Sequence, residues 1–161
     1  MTSRTTPTTV DDLSHTAVVL FVAGLPAPQG SKRYLGHRRP VEDSAGLPSW
    51  RADVREALAK AWRTTAFDGR EVARAPLQCA VQVGLEFVLR RPASTPKRRT
   101  PPAVRRPDLD KLARAVLDAI TSAGVWADDA QVIQLHASKR LAEPGEHTGC
   151  HIRITPITQE A

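Results

Sequence analysis

Cysteine is nearly absent from this chain: Cys79 and Cys150 are the only two among 161 residues. That excludes a disulfide framework, and the two lack the paired spacing of a zinc site, so reduced thiols are expected. Long apolar runs are missing as well. The longest, Ala17 to Ala23, is far short of the roughly 20 residues that a membrane-spanning helix needs, and no membrane association is expected. The opening Met1-Thr2-Ser3-Arg4 and its Thr-rich continuation lack the basic and apolar regions of a secretory signal, which makes the cytoplasm the expected location. There is no Gly-rich phosphate loop, no Ser/His/Asp arrangement and no internal repeat. Hydrophobic residues at 41% and charged residues at 25% are ordinary globular values. They argue against a disordered chain, and the length suits one domain with a real core.

Charge is what the sequence has in excess. Lys and Arg number 23 against 17 Asp and Glu, a net charge of +6. The position of that excess matters more than its size. Between Arg90 and Pro107 lie seven cations and no acid: Arg90, Arg91, Lys97, Arg98, Arg99, Arg105 and Arg106. The rest of the chain is close to neutral. Pro92, Pro96, Pro101, Pro102 and Pro107 share the segment, so it cannot be a helix or an inner strand, and an extended loop over 90–107 is expected. Clustered cations on such a loop point to a polyanion, most simply a nucleic acid, or else to a solvated basic linker.

Residues 1–16 read as a disordered polar tail ahead of a domain over 17–158. Ala17 to Ala23 reads as a strand, ended by loop chemistry from Gly24 that leads to Lys32 and Arg33. Ser49 is placed to cap a helix that runs to about Thr65, with Trp50, Val54, Leu58 and Trp62 at helical spacing. From Leu77 to Leu89 every odd position is apolar, the pattern of a long antiparallel strand with one buried side. Cys79, on that face, reads as core. Lys111 to Ala123 is expected as a helix closed by Gly124. Gln131 to Leu141 and Gly149 to Ile157 look like two strands joined across the turn Glu143 to Thr148. The expected class is α+β: a mixed, largely antiparallel sheet of about four strands with two main helices.

Five of the acids fall between Asp108 and Asp129, just after the basic loop. Asp108 and Asp110 leave the same face of an extended segment, and Asp128 and Asp129 form a second acidic point one helix later. If the next strand returns beside Asp108, these carboxylates converge into a set that suits Mg²⁺, able to activate a water and to neutralise charge on a phosphodiester. The structural alternative stays open: Asp110 as a helix cap, Asp128 and Asp129 as a turn. Asp118 is expected to pair with Arg114 one turn back. Lys139 is either a phosphate contact or an ordinary strand-end cation, and Trp126 reads as core. His147, Cys150 and His151 lie around a turn and do not complete a zinc site.

Read whole, the segment Arg106-Pro107-Asp108-Leu109-Asp110-Lys111-Leu112-Ala113-Arg114, then Leu117-Asp118-Ala119-Ile120, then Gly124-Val125-Trp126-Ala127-Asp128-Asp129-Ala130-Gln131-Val132, resembles the RusA family of Holliday junction resolvases. The stretch Gly24 to Arg33 is similar to that family's N-terminal basic loop. The resemblance covers about Val18 to Ile157. It implies a RusA-like fold and a homodimeric Mg²⁺-dependent endonuclease, often encoded by phage or prophage, that nicks four-way DNA junctions symmetrically; Mn²⁺ is a plausible substitute ion. It places the essential aspartates on Asp108, Asp110 and Asp129, with Asp128 as a further ligand or orienter. A family lysine falls on Arg114, and Lys111 stands where the family usually has Asn. Arginine keeps the charge but not the compactness of an ammonium, so phosphate contact is the easier role for it. Lys32, Arg33, Lys111, Lys139 and the cations of 90–107 would hold the DNA. The alternative is a non-catalytic DNA-binding or architectural module of the same fold, and a third reading is a protein that docks an acidic partner.

Overall fold

Apolar side chains at every second position make Ala80–Leu89 a strand whose odd face must be covered, and that strand organises the molecule. The computed structural model describes residues 17–30, 32–33, 41–42, 45–96 and 98–157. In chain order the elements are β1 (Val18–Ala23), β2 (Lys32–Arg33), β3 (Val41–Glu42), α1 (Leu47–Ala61), β4 (Arg63–Thr65), β5 (Glu71–Ala73), β6 (Ala80–Leu89), α2 (Leu109–Ser122), a short 3₁₀ turn (Asp129–Gln131), β7 (Val132–Leu141) and β8 (Gly149–Ile157). The expected tail over 1–16 and Lys97 lie outside the described residues, and Lys32 and Arg33 are described by their backbone alone.

The main sheet has four strands in the order β1-β8-β6-β7. β8 is antiparallel to both β1 and β6, whereas β7 runs parallel to β6, Val83 facing Leu135 and Leu89 facing Leu141. This is the mixed, largely antiparallel α+β arrangement read from the sequence. Two details differ. β7 and β8 do not form a hairpin, because β6 lies between them. The seven residues from Ala142 to Thr148 have to bridge two strand spacings, about 10 Å, and Arg140 pins them by bonding Glu86 on β6 and Glu146 in the turn at 2.6 Å each. Secondly, the parallel β6–β7 pair requires a crossover, which the 90–108 segment and α2 supply.

The odd face of β6 is covered by both helices. Val81, Val83, Leu85 and Phe87 form one buried cluster with Trp50, Val54 and Leu58 of α1, Leu112, Val116 and Ile120 of α2, and Ile152 and Ile154 of β8. Cys150 is buried here, and burial pushes its thiol up to about 12. Trp126 is 1% exposed and donates its indole N–H to Thr121 Oγ1 at 2.8 Å, a core role as expected. Gly149 has to be glycine: a Cβ there would stand 2.1 Å from the Val22 carbonyl oxygen across the β1–β8 ladder.

Element ends shift for local reasons. α1 starts at Leu47 with Gly46 at the N-cap, so Ser49 is inside the helix, and its hydroxyl donates to the Gly46 carbonyl at 3.2 Å. It stops at Ala61, short of Thr65, because Arg63–Thr65 pair with Glu71–Ala73, extended geometry that the β-branched Thr64 and Thr65 favour. β6 begins at Ala80, after Leu77 has bridged to Trp126. Lys32 and Arg33 lie on a two-residue ladder with β3 where a loop was expected.

Candidate active site

Pro107 cannot continue a helix from upstream, and α2 begins two residues later. Asp108 therefore takes the N-cap position, with extended backbone (φ −72°, ψ 138°), and Asp110 falls in the first helical turn. The sequence expectation of an extended Asp108–Asp110 segment, with Asp110 as cap, is corrected by two residues. The Asp108 side chain makes no capping hydrogen bond to the backbone of its own helix. Lys111 Nζ lies 3.4 Å from Asp108 Oδ2, about half of each side chain being exposed. Lys111 thus faces the acid, a position not foreseen for a cation assigned to DNA. Asp110 is exposed on the same turn. Both acids sit at the N-terminal end of α2.

Asp128 and Asp129 are built differently. Asp128 caps the 3₁₀ turn: its Oδ1 accepts from the Ala130 amide at 2.7 Å, while Gln131 Oε1 accepts from the Ala127 and Asp128 amides. Gln131 Nε2 donates to the carbonyls of Leu77 and Cys79, both at 2.9 Å, which ties the turn to the start of β6. Sequence reasoning passed over Gln131, although D-x-x-Q is a capping-box spacing that marks it. Asp129 is left exposed as the first residue of that turn.

The two acidic points stand at opposite ends of the sheet. α2 has 14 residues, a length of about 21 Å at roughly 1.5 Å per residue. Independently, Lys139 bonds the Pro107 carbonyl, and Val132 lies seven strand steps back, about 23 Å at roughly 3.3 Å each. The strand after α2 does return beside Asp108, but with its far end, because a strand parallel to β6 must start where β6 starts. Among the described residues no three His, Cys, Asp or Glu side chains gather closely enough to hold a metal ion. Convergence within one chain, which the sequence reading required, does not occur. Asp108 and Asp110 remain a fitting pair for Mg²⁺, which commonly uses only one or two carboxylates together with substrate phosphates.

The cationic loop is held on the body of the domain. Arg91 donates to Thr100 Oγ1 at 2.5 Å and to the carbonyls of Pro96, Arg99 and Ala142, so it organises the loop from within. Thr100 in turn bonds Glu143 at 2.5 Å. Lys139 donates to the carbonyls of Arg105 and Pro107. Arg90, Arg98, Arg99, Arg105 and Arg106 are exposed at the same end of the molecule as Asp108. Arg114 is exposed on α2 and has no hydrogen-bond or ion-pair partner among the described residues. The expected Asp118–Arg114 pair is not formed: Asp118 bonds Arg51 of α1, closing the contact between the helices.

The family model for endodeoxyribonuclease RusA matches residues 24–155. The chain belongs to the RusA family. Curated relatives, each named crossover junction endodeoxyribonuclease RusA, include those of Escherichia coli strain K12, 48% identical over 44 residues, and of Shigella sonnei and Enterobacteria phage 82, each 53% identical over 44 residues. Each match covers 27% of this chain and 37% of the relative. No helix among the described residues is long and apolar enough to cross a membrane.

Proposed function

We propose that this RusA-family chain is a crossover junction endodeoxyribonuclease: a divalent-metal-dependent hydrolase that resolves four-way DNA junctions by paired symmetric nicks, acting as a homodimer in the cytoplasm. The observation that carries this reading is the pair Asp108 and Asp110, their carboxylates open at the start of α2 and flanked by the cationic 90–107 loop. Asp108 and Asp110 would hold Mg²⁺, which when bound supplies an activated water and neutralises charge on the phosphodiester. The exposed arginines of the loop would bind phosphates on either side of the cut. Arg114, permanently charged, is suited to a phosphate contact and cannot act as a general base. Lys139 holds the loop backbone against the sheet and so positions Asp108.

A separation of roughly 20 Å, the length of α2 at about 1.5 Å per residue, would give a dimer a chemical purpose. Among the described residues β7 is an edge strand with one side unpaired, and Ile133 and Leu135 expose 61% and 44% of their surface on it. A two-fold axis near the middle of β7 exchanges the ends of the strand. It would carry Asp129 of a second copy towards Asp108 and Asp110, completing two equivalent sites for two equivalent strands.

The decisive experiment is subunit mixing on a labelled four-way junction, with and without Mg²⁺. Asp108→Asn and Asp129→Asn chains, each inactive alone, should regain nicking when mixed, because one site of the mixed dimer then holds Asp108, Asp110 and Asp129 intact. Continued inactivity would place all three acids in one chain. Metal-independent cleavage would remove the hydrolytic reading.

A further inference from the structure

Beneath the 90–107 loop lies a cleft of about 530 Å³ whose walls include Leu25, Val104 and Pro107, and whose rim carries Arg90, Arg105 and Arg106. The volume is typical of small-molecule sites, roughly 300–1,000 Å³, and far too small for a duplex. Three features together select its occupant. Prolines and aliphatic side chains supply much of the lining and no aromatic ring takes part, so the cleft suits the face of a flat ring held by apolar contact and not by ring-on-ring stacking. All three guanidiniums on the rim are exposed, which suits an anion on either side of that ring. Pro107, which lines the cleft, directly precedes Asp108, so an occupant of the cleft lies beside the acids.

We infer that the cleft seats one nucleobase of the cut strand, unstacked at the branch point, while Arg90, Arg105 and Arg106 hold its flanking phosphates. This rests on the junction-cleaving reading and deepens it by naming how the branch is recognised. Bases at a strand exchange have lost part of their stacking, so extracting one there is easier than within a continuous helix. Duplex DNA would resist the same extraction, and the cleft thereby favours branched over linear substrates.

The test uses the full chain as Asp110→Asn, which should bind without cutting, and four-way junctions carrying 2-aminopurine at successive positions around the branch. Fluorescence of this base is quenched by stacking, and a cleft without aromatic rings leaves it bright. One position next to the branch should brighten about threefold or more on binding, and a linear duplex should show no change. Two substitutions narrow the cleft without adding a quenching ring: Ala103→Leu at a half-buried wall position and Val104→Met at an exposed one. Each should remove at least about half of the rise, leaving junction affinity within about twofold, since phosphate contacts dominate affinity. Absence of a localised rise in a bound complex overturns the inference, as does a full rise in both variants. Failure to bind the junction at all is read separately, by gel shift; it removes the junction reading and the cleft assignment together.

Discussion

Lys139 Nζ stands 2.8 Å from the Pro107 carbonyl oxygen, so a cation on the edge strand ends on the backbone directly before Asp108. A second bond, 2.9 Å to the Arg105 carbonyl, makes the contact two-pronged. Lys139→Met keeps the aliphatic stem and deletes both bonds, which for a partly exposed site amounts to about 1–2 kcal/mol of local stabilisation. Amide exchange over residues 104–108 should quicken while the global melting temperature falls only a little. Nicking should slow in parallel. Unaltered exchange in that segment would show that the loop is held by Arg91 alone.

The aspartates divide by what their side chains already do. Asp108→Asn, Asp110→Asn and Asp129→Asn should each abolish nicking and leave junction binding intact or tighter, since a carboxylate is removed near phosphates. Asp128 is different because it caps the 3₁₀ turn. Asparagine is as good a cap, so Asp128→Asn should fold normally, whereas Asp128→Ala should lose about 0.5–2 kcal/mol in urea titrations. Wild-type nicking by Asp128→Asn would confine that residue to its structural role. Loss of nicking with full stability would restore it as a ligand.

How far the sequence reached is visible in these same residues. Apolar spacing located β6, α2, β7 and β8 because burial of one face writes a period into the chain. It could not show that β7 runs parallel to β6, since pairing direction is decided by the crossover and by which strand is central. That unknown bears on the site, because a strand parallel to β6 starts where β6 starts and leaves Asp129 at the far end of α2 from Asp108. The helix start was misplaced because Asp108 and Asp110 are equally good caps in composition, and Pro107 made the earlier start available. The Asp118–Arg51 pair joins residues 67 positions apart, beyond the reach of any helical spacing rule.

Salt dependence separates the loop's outward cations from its internal one. Changing Arg98, Arg99, Arg105 and Arg106 together to Gln should weaken binding to every DNA form. If each touches one phosphate, the slope of log K against log salt should flatten by about 0.9 per contact, or roughly 3 to 4 in all. Arg91→Gln should instead alter protease sensitivity of the loop, with little change in slope, because its donors are engaged by Thr100 and loop carbonyls. Equal slopes for the fourfold variant and the parent would reduce the loop to a linker.

Acid stability has one identifiable contributor at the β7–β8 turn. The Arg140 guanidinium, with the Glu143 amide, holds the Glu146 carboxyl down from 4.5 to about 2. A carboxyl whose folded pKa lies below its unfolded one stabilises the fold above about pH 4.5, and this contribution is lost as pH falls towards 2. Glu146→Gln should therefore be less stable near neutrality and should show a shallower decline between pH 4.5 and 2. Chemical denaturation at a series of pH values measures it. Superimposable acid limbs for the two proteins would assign the decline to other carboxylates.

Exchange of Mg²⁺ for Ca²⁺ tests the chemistry assigned to the acids. Ca²⁺ takes six to eight oxygens at roughly 2.3–2.6 Å in loose geometry, whereas Mg²⁺ enforces a near-octahedral shell at about 2.0–2.1 Å. Junction affinity needs charge neutralisation, which either ion supplies, so binding should be similar in both. Hydrolysis needs a water held in line with the scissile bond, and that depends on the tighter shell. Arg114 offers no substitute for the metal, because a guanidinium has no acceptor and cannot act as a base. Nicking should therefore fall to background in Ca²⁺ and in excess chelator, and return with Mg²⁺. Equal nicking in all three conditions would rule out metal-assisted hydrolysis. Nicking in Ca²⁺ but not in chelator would instead show that the site tolerates a looser shell than two carboxylates and a phosphate impose on Mg²⁺.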